Sequence, residues 1–194
     1  MMPLMAQAEI FFLEALLVAL GGKSNRLQCL EWGAGGSTVH FSRFLDFKGI
    51  DYRWLTLEHD PVWLERVAAA IGRNRKVQIR YFDVGPGDPH CKHLTMDRYV
   101  HYPRRLRREF DFILVDGRKR RRCLFEAALV AKPSGVVALH DASRPYYHCA
   151  FDRYRVSKFA LADLWIGAIG RTLTQPPVFG RSTKRLKAGL GRYD

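Results

Sequence analysis

The sequence predicts an α/β protein: a three-layer αβα sandwich around a seven-stranded, mostly parallel sheet that finishes in an antiparallel C-terminal hairpin. Three observations lead there. From residue 27 onward, short apolar runs alternate with segments of helical spacing. The first five runs close on or beside acids: Glu31, Glu58, Asp83, Asp116 and Asp141. Two further strand-like runs, 154–160 and 163–169, lie a short turn apart. The 194 residues suit one domain, 1–194, with a sizeable core, and an apolar fraction of 47% argues against global disorder.

The elements follow in order. Residues 4–20 are strongly apolar, but no Lys or Arg precedes them, Glu9 and Glu14 interrupt them, and the run is short for a span. The expectation is a buried N-terminal helix capping the sheet, with no integral membrane span. A membrane-surface or dimerisation helix is the alternative, and a homo-oligomer stays open. Leu27 to Glu31 is a first strand, and Gly33, Gly35 and Gly36 with Ser37 and Thr38 make a tight turn into a helix reaching Phe47. Glycines let a ligand approach the main chain, and a helix start offers free N–H groups.

Tyr52 to Leu57 is the second strand, and Pro61 opens a helix over 62–71. Strands follow at 77–82 and 110–115. Between them lies an irregular stretch with Gly85-Pro-Gly-Asp-Pro89 and one short helix near 96–99. Residues 121–131 form a helix stopped by Lys132-Pro-Ser-Gly135, and Val136 to Leu139 is the fifth strand. A basic tail, about 171–194, follows the hairpin.

The net charge of +13 points to an acidic partner: nucleic acid, an anionic membrane, or an acidic small molecule or glycan. A solvated basic face is the plain alternative. Cys29, Cys91, Cys123 and Cys149 form no Cys-x-x-Cys pair, and Cys91-x-His93 has no second pair at zinc spacing. A reducing cytoplasm is therefore expected.

Acids gathered on the carboxyl edge of a sheet are costly unless they bind something, and that edge is where open α/β sheets hold ligands. Glu58 lies 22 residues after Gly36, where an acid can bridge ribose hydroxyls. The dinucleotide fingerprint Gly-x-Gly-x-x-Gly fails, because its sixth position is Thr38.

On the motif Glu31-Trp-Gly-Ala-Gly-Gly36, with Glu58, Asp83 and Asp116, the chain resembles class I (Rossmann-like) S-adenosylmethionine-dependent methyltransferases over roughly residues 25–170. The endings Val115-Asp116-Gly117 and Leu139-His140-Asp141 look most like small-molecule or sugar O-methyltransferases. The resemblance implies S-adenosylmethionine held by Glu31, Gly33, Gly35, Gly36, Ser37, Thr38, Glu58 and Asp83. Ser37 and Thr38 would offer hydroxyls and N–H groups, Glu58 would hold the ribose, and Asp83 would meet the adenine amino group. Asp116, His140 and Asp141 become the catalytic candidates. Catechol-type relatives use a magnesium ion held by two such acids and an Asn. Asp116 and Asp141 match the acids, and Ala142 stands at the Asn. His140 is an alternative ligand, a general base, or a histidine that only packs at the sheet edge.

Residues 104–122 hold nine Lys or Arg against Glu109, Asp111 and Asp116. Arg118–Arg122 begin at the carboxyl end of the fourth strand, so Arg118, with Arg144 and Tyr147, is a candidate for the acceptor. The Asn/Asp-Pro-Pro-aromatic signature of adenine or glutamine N-methylation is absent, since Gly117-Arg-Lys-Arg120 follows that strand, and Gln175-Pro-Pro177 reads as tail. Three readings result: an O-methyltransferase for a small acidic or sugar-like acceptor, an RNA methyltransferase using the basic surface, or a non-catalytic cofactor-binding module.

Overall fold

A computed structural model describes residues 1–84 and 96–170. Gly85–Pro89, Cys91, His93 and the tail from Arg171 lie outside the described residues. Five strands run parallel: β1 (Leu27–Trp32), β2 (Tyr52–Glu58), β3 (Val77–Tyr81), β4 (Phe110–Val115) and β5 (Ala131–His140). The final pair, β6 (Val156–Phe159) and β7 (Leu164–Ala168), forms the hairpin, with β7 antiparallel to β5. Among the described residues the sheet order is β3-β2-β1-β4-β5-β7-β6. The chain thus moves outward from β1 in one direction, then returns to β4 and builds the other way. This reversal opens a crevice between β1 and β4.

Alternation along the strands splits the core into two layers. Cys29, Trp54, Phe112, Leu114, Val136 and Ala138 face one side, under α1 (Gln7–Gly21) and α2 (Gly36–Phe47). Leu30, Leu55, Ile113, Val115, Val137 and Leu139 face the other, under α4 (Asp97–Arg105), α5 (Arg120–Val130) and a 3-10 helix at Pro145–Arg153. The expected N-terminal helix is therefore a core element, burying Leu13, Leu16 and Leu17 completely. A third small cluster joins α2 to α3 (Pro61–Ile71) through Val39 and Val67.

α3 begins as its sequence dictates: Asp60 Oδ1 accepts the N–H groups of Val62 and Trp63 at 2.9 and 3.3 Å, and Pro61 needs no partner. Buried Glu126 on α5 takes a forked pair of bonds from Arg104 at 2.8 and 2.7 Å and one from His101 at 2.7 Å, joining α5 to α4.

The fifth strand corrects the sequence expectation. Lys132–Gly135 do not separate helix from strand; they are a bulged opening of β5, where the register against β4 shifts between Phe110 and Phe112. Gly135 lies so close to this edge that a Cβ there would stand 2.6 Å from the Phe110 carbonyl oxygen. No helix among the described residues is long and apolar enough to cross a membrane.

Candidate active site

The crevice begins at Gly33, the residue after β1. Its φ is +100°, and a Cβ there would lie 2.6 Å from the Cα of Gly117, the second residue after β4. Only glycine fits both demands. The turn is tied down by backbone bonds: Gly33 N–H donates to the Leu57 carbonyl at 2.9 Å, and Asp116 N–H to the Trp32 carbonyl at 3.0 Å.

Glu31 anchors the turn from below. Its carboxylate accepts the Ser37 hydroxyl at 2.5 Å, the Thr38 hydroxyl at 2.6 Å and the Trp54 indole N–H at 2.9 Å. Thr38 Oγ1 in turn accepts the Gly35 N–H at 3.1 Å. Burial pushes the Glu31 carboxyl up from 4.5 to about 7, against the pull of these three donors. Ser37 and Thr38 thus spend their hydroxyl protons on Glu31. Their hydroxyls are engaged within the turn, while Ser37 still lines the cleft above it. Glu31 is itself fully buried, so it shapes the turn from beneath rather than lining the crevice.

Glu58 closes the second strand. Its Oε1 accepts the N–H groups of His59 and Asp60 at 2.7 and 2.8 Å, and its Oε2 accepts that of Ala34 at 2.7 Å. The residue links the glycine turn to the β2 end and keeps acceptor capacity on Oε2. A cleft of about 660 Å³ runs above these groups, lined by Gly33–Ser37, Glu58, Trp63, Arg66, Asp116, Arg118, Arg120, His140 and Asp141. Met1, Met2 and Leu4 lie along it. A second recess shares His59, Asp60 and Arg118 with it and extends to Pro61, Val84 and Met96.

Across the cleft, His140 Nδ1 lies 3.0 Å from Asp116 Oδ1, and its Nε2 lies 3.5 Å from Glu9 Oε2 on α1. Burial works against the charged imidazole, but Asp116, Asp141 and Glu9 outweigh it and raise the His140 pKa above the ordinary value. Asp116 and Asp141 do not stand free. Arg120 lies between them, 3.1 Å from Asp116 Oδ1 and 2.8 Å from Asp141 Oδ2.

The magnesium expectation fails at this point. Among the described residues no three His, Cys, Asp or Glu side chains form a group that could hold a metal ion. The two carboxylates already share a guanidinium, and the side chain at 142 is a buried alanine with no oxygen to donate.

The remaining candidates divide. Arg118 is exposed and lines both recesses. Arg144 is exposed at the rim and donates to Asp141 Oδ2 at 3.1 Å. Tyr147 is corrected: the 3-10 helix turns its ring into the core beside Ala150, away from the cleft. Asp83 is exposed beyond the end of β3, beside Val84 of the second recess. Sequence reasoning missed Glu9 and the central role of Arg120. The interval from Asp116 to Arg120 was a usable signal, since it spans the loop into α5.

No family profile matches the chain, and no curated protein matches it. Solved structures do. A methyltransferase-like protein from Silicibacter pomeroyi superposes with a TM-score of 0.68 at 23% identity, covering 90% of this chain and 91% of that one. A putative caffeoyl-CoA O-methyltransferase from Staphylococcus aureus gives 0.60 at 15% identity, over 87% and 86%. An O-methyltransferase from Bacillus cereus, solved in complex with SAH, gives 0.53 at 17% identity, over 86% and 84%. These neighbours are methyltransferases or methyltransferase-like. A spermidine synthase from Thermotoga maritima also superposes, at a TM-score of 0.53 and 14% identity, over 84% and 60%. This chain has the fold of class I S-adenosylmethionine-dependent methyltransferases.

Proposed function

We propose that the chain transfers a methyl group from S-adenosylmethionine to an oxygen of a small acidic or sugar-like acceptor. One observation carries this reading: the glycine turn, Glu58 and the His140–Asp116 pair all line one cleft at the β1–β4 crevice. Gly33–Gly36 would underlie the methionine portion, and Glu58 Oε2 would take a ribose hydroxyl. The recess of Pro61, Val84 and Met96 would take the adenine, with Asp83 at its rim. When bound, the cofactor supplies an activated methyl on a sulfonium, so the chain needs no nucleophile of its own.

What the chain must supply is alignment and a base. Asp116 accepts from His140 Nδ1, which fixes the tautomer and leaves Nε2 to take the acceptor's proton. The imidazolium then lies among Asp116, Asp141 and Glu9, which stabilise it. Arg66 and Arg118 on the cleft wall suit a carboxylate or phosphate on the acceptor.

Calorimetry with S-adenosylmethionine tests the premise. Saturable binding that weakens in Glu58→Ala is expected, and no binding at millimolar ligand overturns it. With uronates, sugars and sugar phosphates as acceptors, His140→Ala should lower turnover by about 10²-fold or more.

One observation favours RNA as a second reading. Arg80 stacks over Tyr102 and Arg108 over Phe110, at 5.5 and 5.1 Å, and neither pairs with a carboxylate among the described residues. RNA binding that falls steeply with salt and is lost in Arg80→Ala/Arg108→Ala would support it.

A further inference from the structure

We propose that Arg120 is the resident cation of the Asp116–Asp141 pair, and that this site works without a divalent metal ion. Its place in catalysis rests on the methyl-transfer reading above; its place between the carboxylates does not.

A guanidinium has five N–H donors and no acceptor. Arg120 makes four hydrogen bonds and a close ion-pair contact with them. Nε donates to the Gly117 carbonyl at 3.0 Å. Nη1 donates to the His140 carbonyl at 2.6 Å and to Asp141 Oδ2 at 2.8 Å. Nη2 reaches the Asp116 carbonyl and Asp116 Oδ1, both at 3.1 Å. Every partner belongs to the last residue of β5 or to the loops that leave β4 and β5. Its donors are turned to these partners, so Arg120 is committed to the protein rather than to a substrate. It is a positioning residue that acts through the two carboxylates.

A magnesium ion would need those same oxygens at about 2.0–2.1 Å in near-octahedral array. Asp116 and Asp141 would have to leave Arg120, whose side chain is only 13% exposed, and a dication would then sit beside a guanidinium stripped of its partners. The backbone is bent to favour the present arrangement. Lys119, which precedes Arg120, and Asp141 both hold left-handed conformations at φ +54°, outside glycine. Such conformations persist where surrounding contacts over-determine them, and here the contacts of Arg120 fall on both sides.

The arrangement assigns roles. Arg120 neutralises the acid pair and fixes the Asp116 oxygen against which His140 is held. Recognition of an anionic acceptor then falls to cleft-wall cations with donors to spare, foremost Arg118.

Two measurements decide it. In a Mn²⁺ titration followed by electron paramagnetic resonance, the wild-type chain should show no saturable bound ion at millimolar metal. A saturable ion that disappears in Asp116→Asn overturns the proposal. In thermal unfolding, Arg120→Ala should lower Tm far more in the wild-type background than in Asp116→Asn/Asp141→Asn, which isolates the coupling. Equal losses in both backgrounds overturn it. The Mn²⁺ measurement needs no Arg120 variant, so it stands if Arg120→Ala fails to fold. S-adenosylmethionine binding measured on the same wild-type sample separates the two ideas: no cofactor binding ends the methyl-transfer reading and leaves the metal result untouched.

Discussion

The indole N–H of Trp54 on β2 donates to Glu31 Oε2 on the neighbouring strand at 2.9 Å, with both residues out of contact with water. A carboxyl so placed makes stability depend on pH. In the folded chain Glu31 keeps its proton to about pH 7, whereas an ordinary carboxyl releases it near 4.5. Its contribution is therefore full below about pH 4.5 and is lost as pH rises to about 7, by up to ~3 kcal/mol. Urea unfolding across that range should show a falling stability that flattens in Glu31→Gln. Parallel curves for the two proteins would count against it.

Gly33→Ala should be severe. The left-handed backbone costs a non-glycine residue about 1–3 kcal/mol, and the new Cβ meets the Gly117 backbone, which has no flexible end to yield. A drop in Tm together with loss of S-adenosylmethionine binding is expected. Retention of wild-type affinity would mean that the turn does not carry the ligand.

Glu58→Gln separates shape from charge. A carboxamide has one accepting oxygen, so either Ala34 N–H or the His59 and Asp60 N–H pair must face an NH2 group. The loss should be about 1–3 kcal/mol in stability, read by denaturant unfolding, with weaker cofactor binding by calorimetry.

Thiol chemistry provides a check on burial. Burial pushes the Cys29 and Cys123 thiols well above their ordinary value, whereas Cys149 is exposed. Iodoacetamide at neutral pH, followed by peptide mass spectrometry, should modify Cys149 and leave Cys29 and Cys123 intact.

Much of this was legible in residue order. The central strands β1 and β4 are buried on both faces and read as short apolar runs, β3 at the edge alternates as Val-Gln-Ile-Arg-Tyr, and the acids at the strand ends mark the carboxyl edge. What was not legible depended on side-chain direction. Residues 118–122 are all basic, and nothing in their identities separates exposed Arg118 from the inward Arg120. Ser37 and Thr38 had the right chemistry for a ligand, but buried Glu31, six and seven residues upstream on β1, claims their hydroxyl protons. Tyr147 followed β5 closely, yet a 3-10 turn has a different pitch from an α-helix and carried its ring inward. The early start of β5 hid behind Pro133 and Gly135, residues that usually mark a break.

The contact between Gly33 and Gly117 has a mechanical meaning. The turn that would carry the donor and the loop that leads to the acid pair touch through bare main chain, with no side chain between them to flex or change rotamer. The two halves of the cleft therefore share one stiff hinge-pin. On the methyl-transfer reading, a ligand that lifts one turn should shift the other, so the donor and acceptor subsites should answer each other's occupancy even where their ligands never meet.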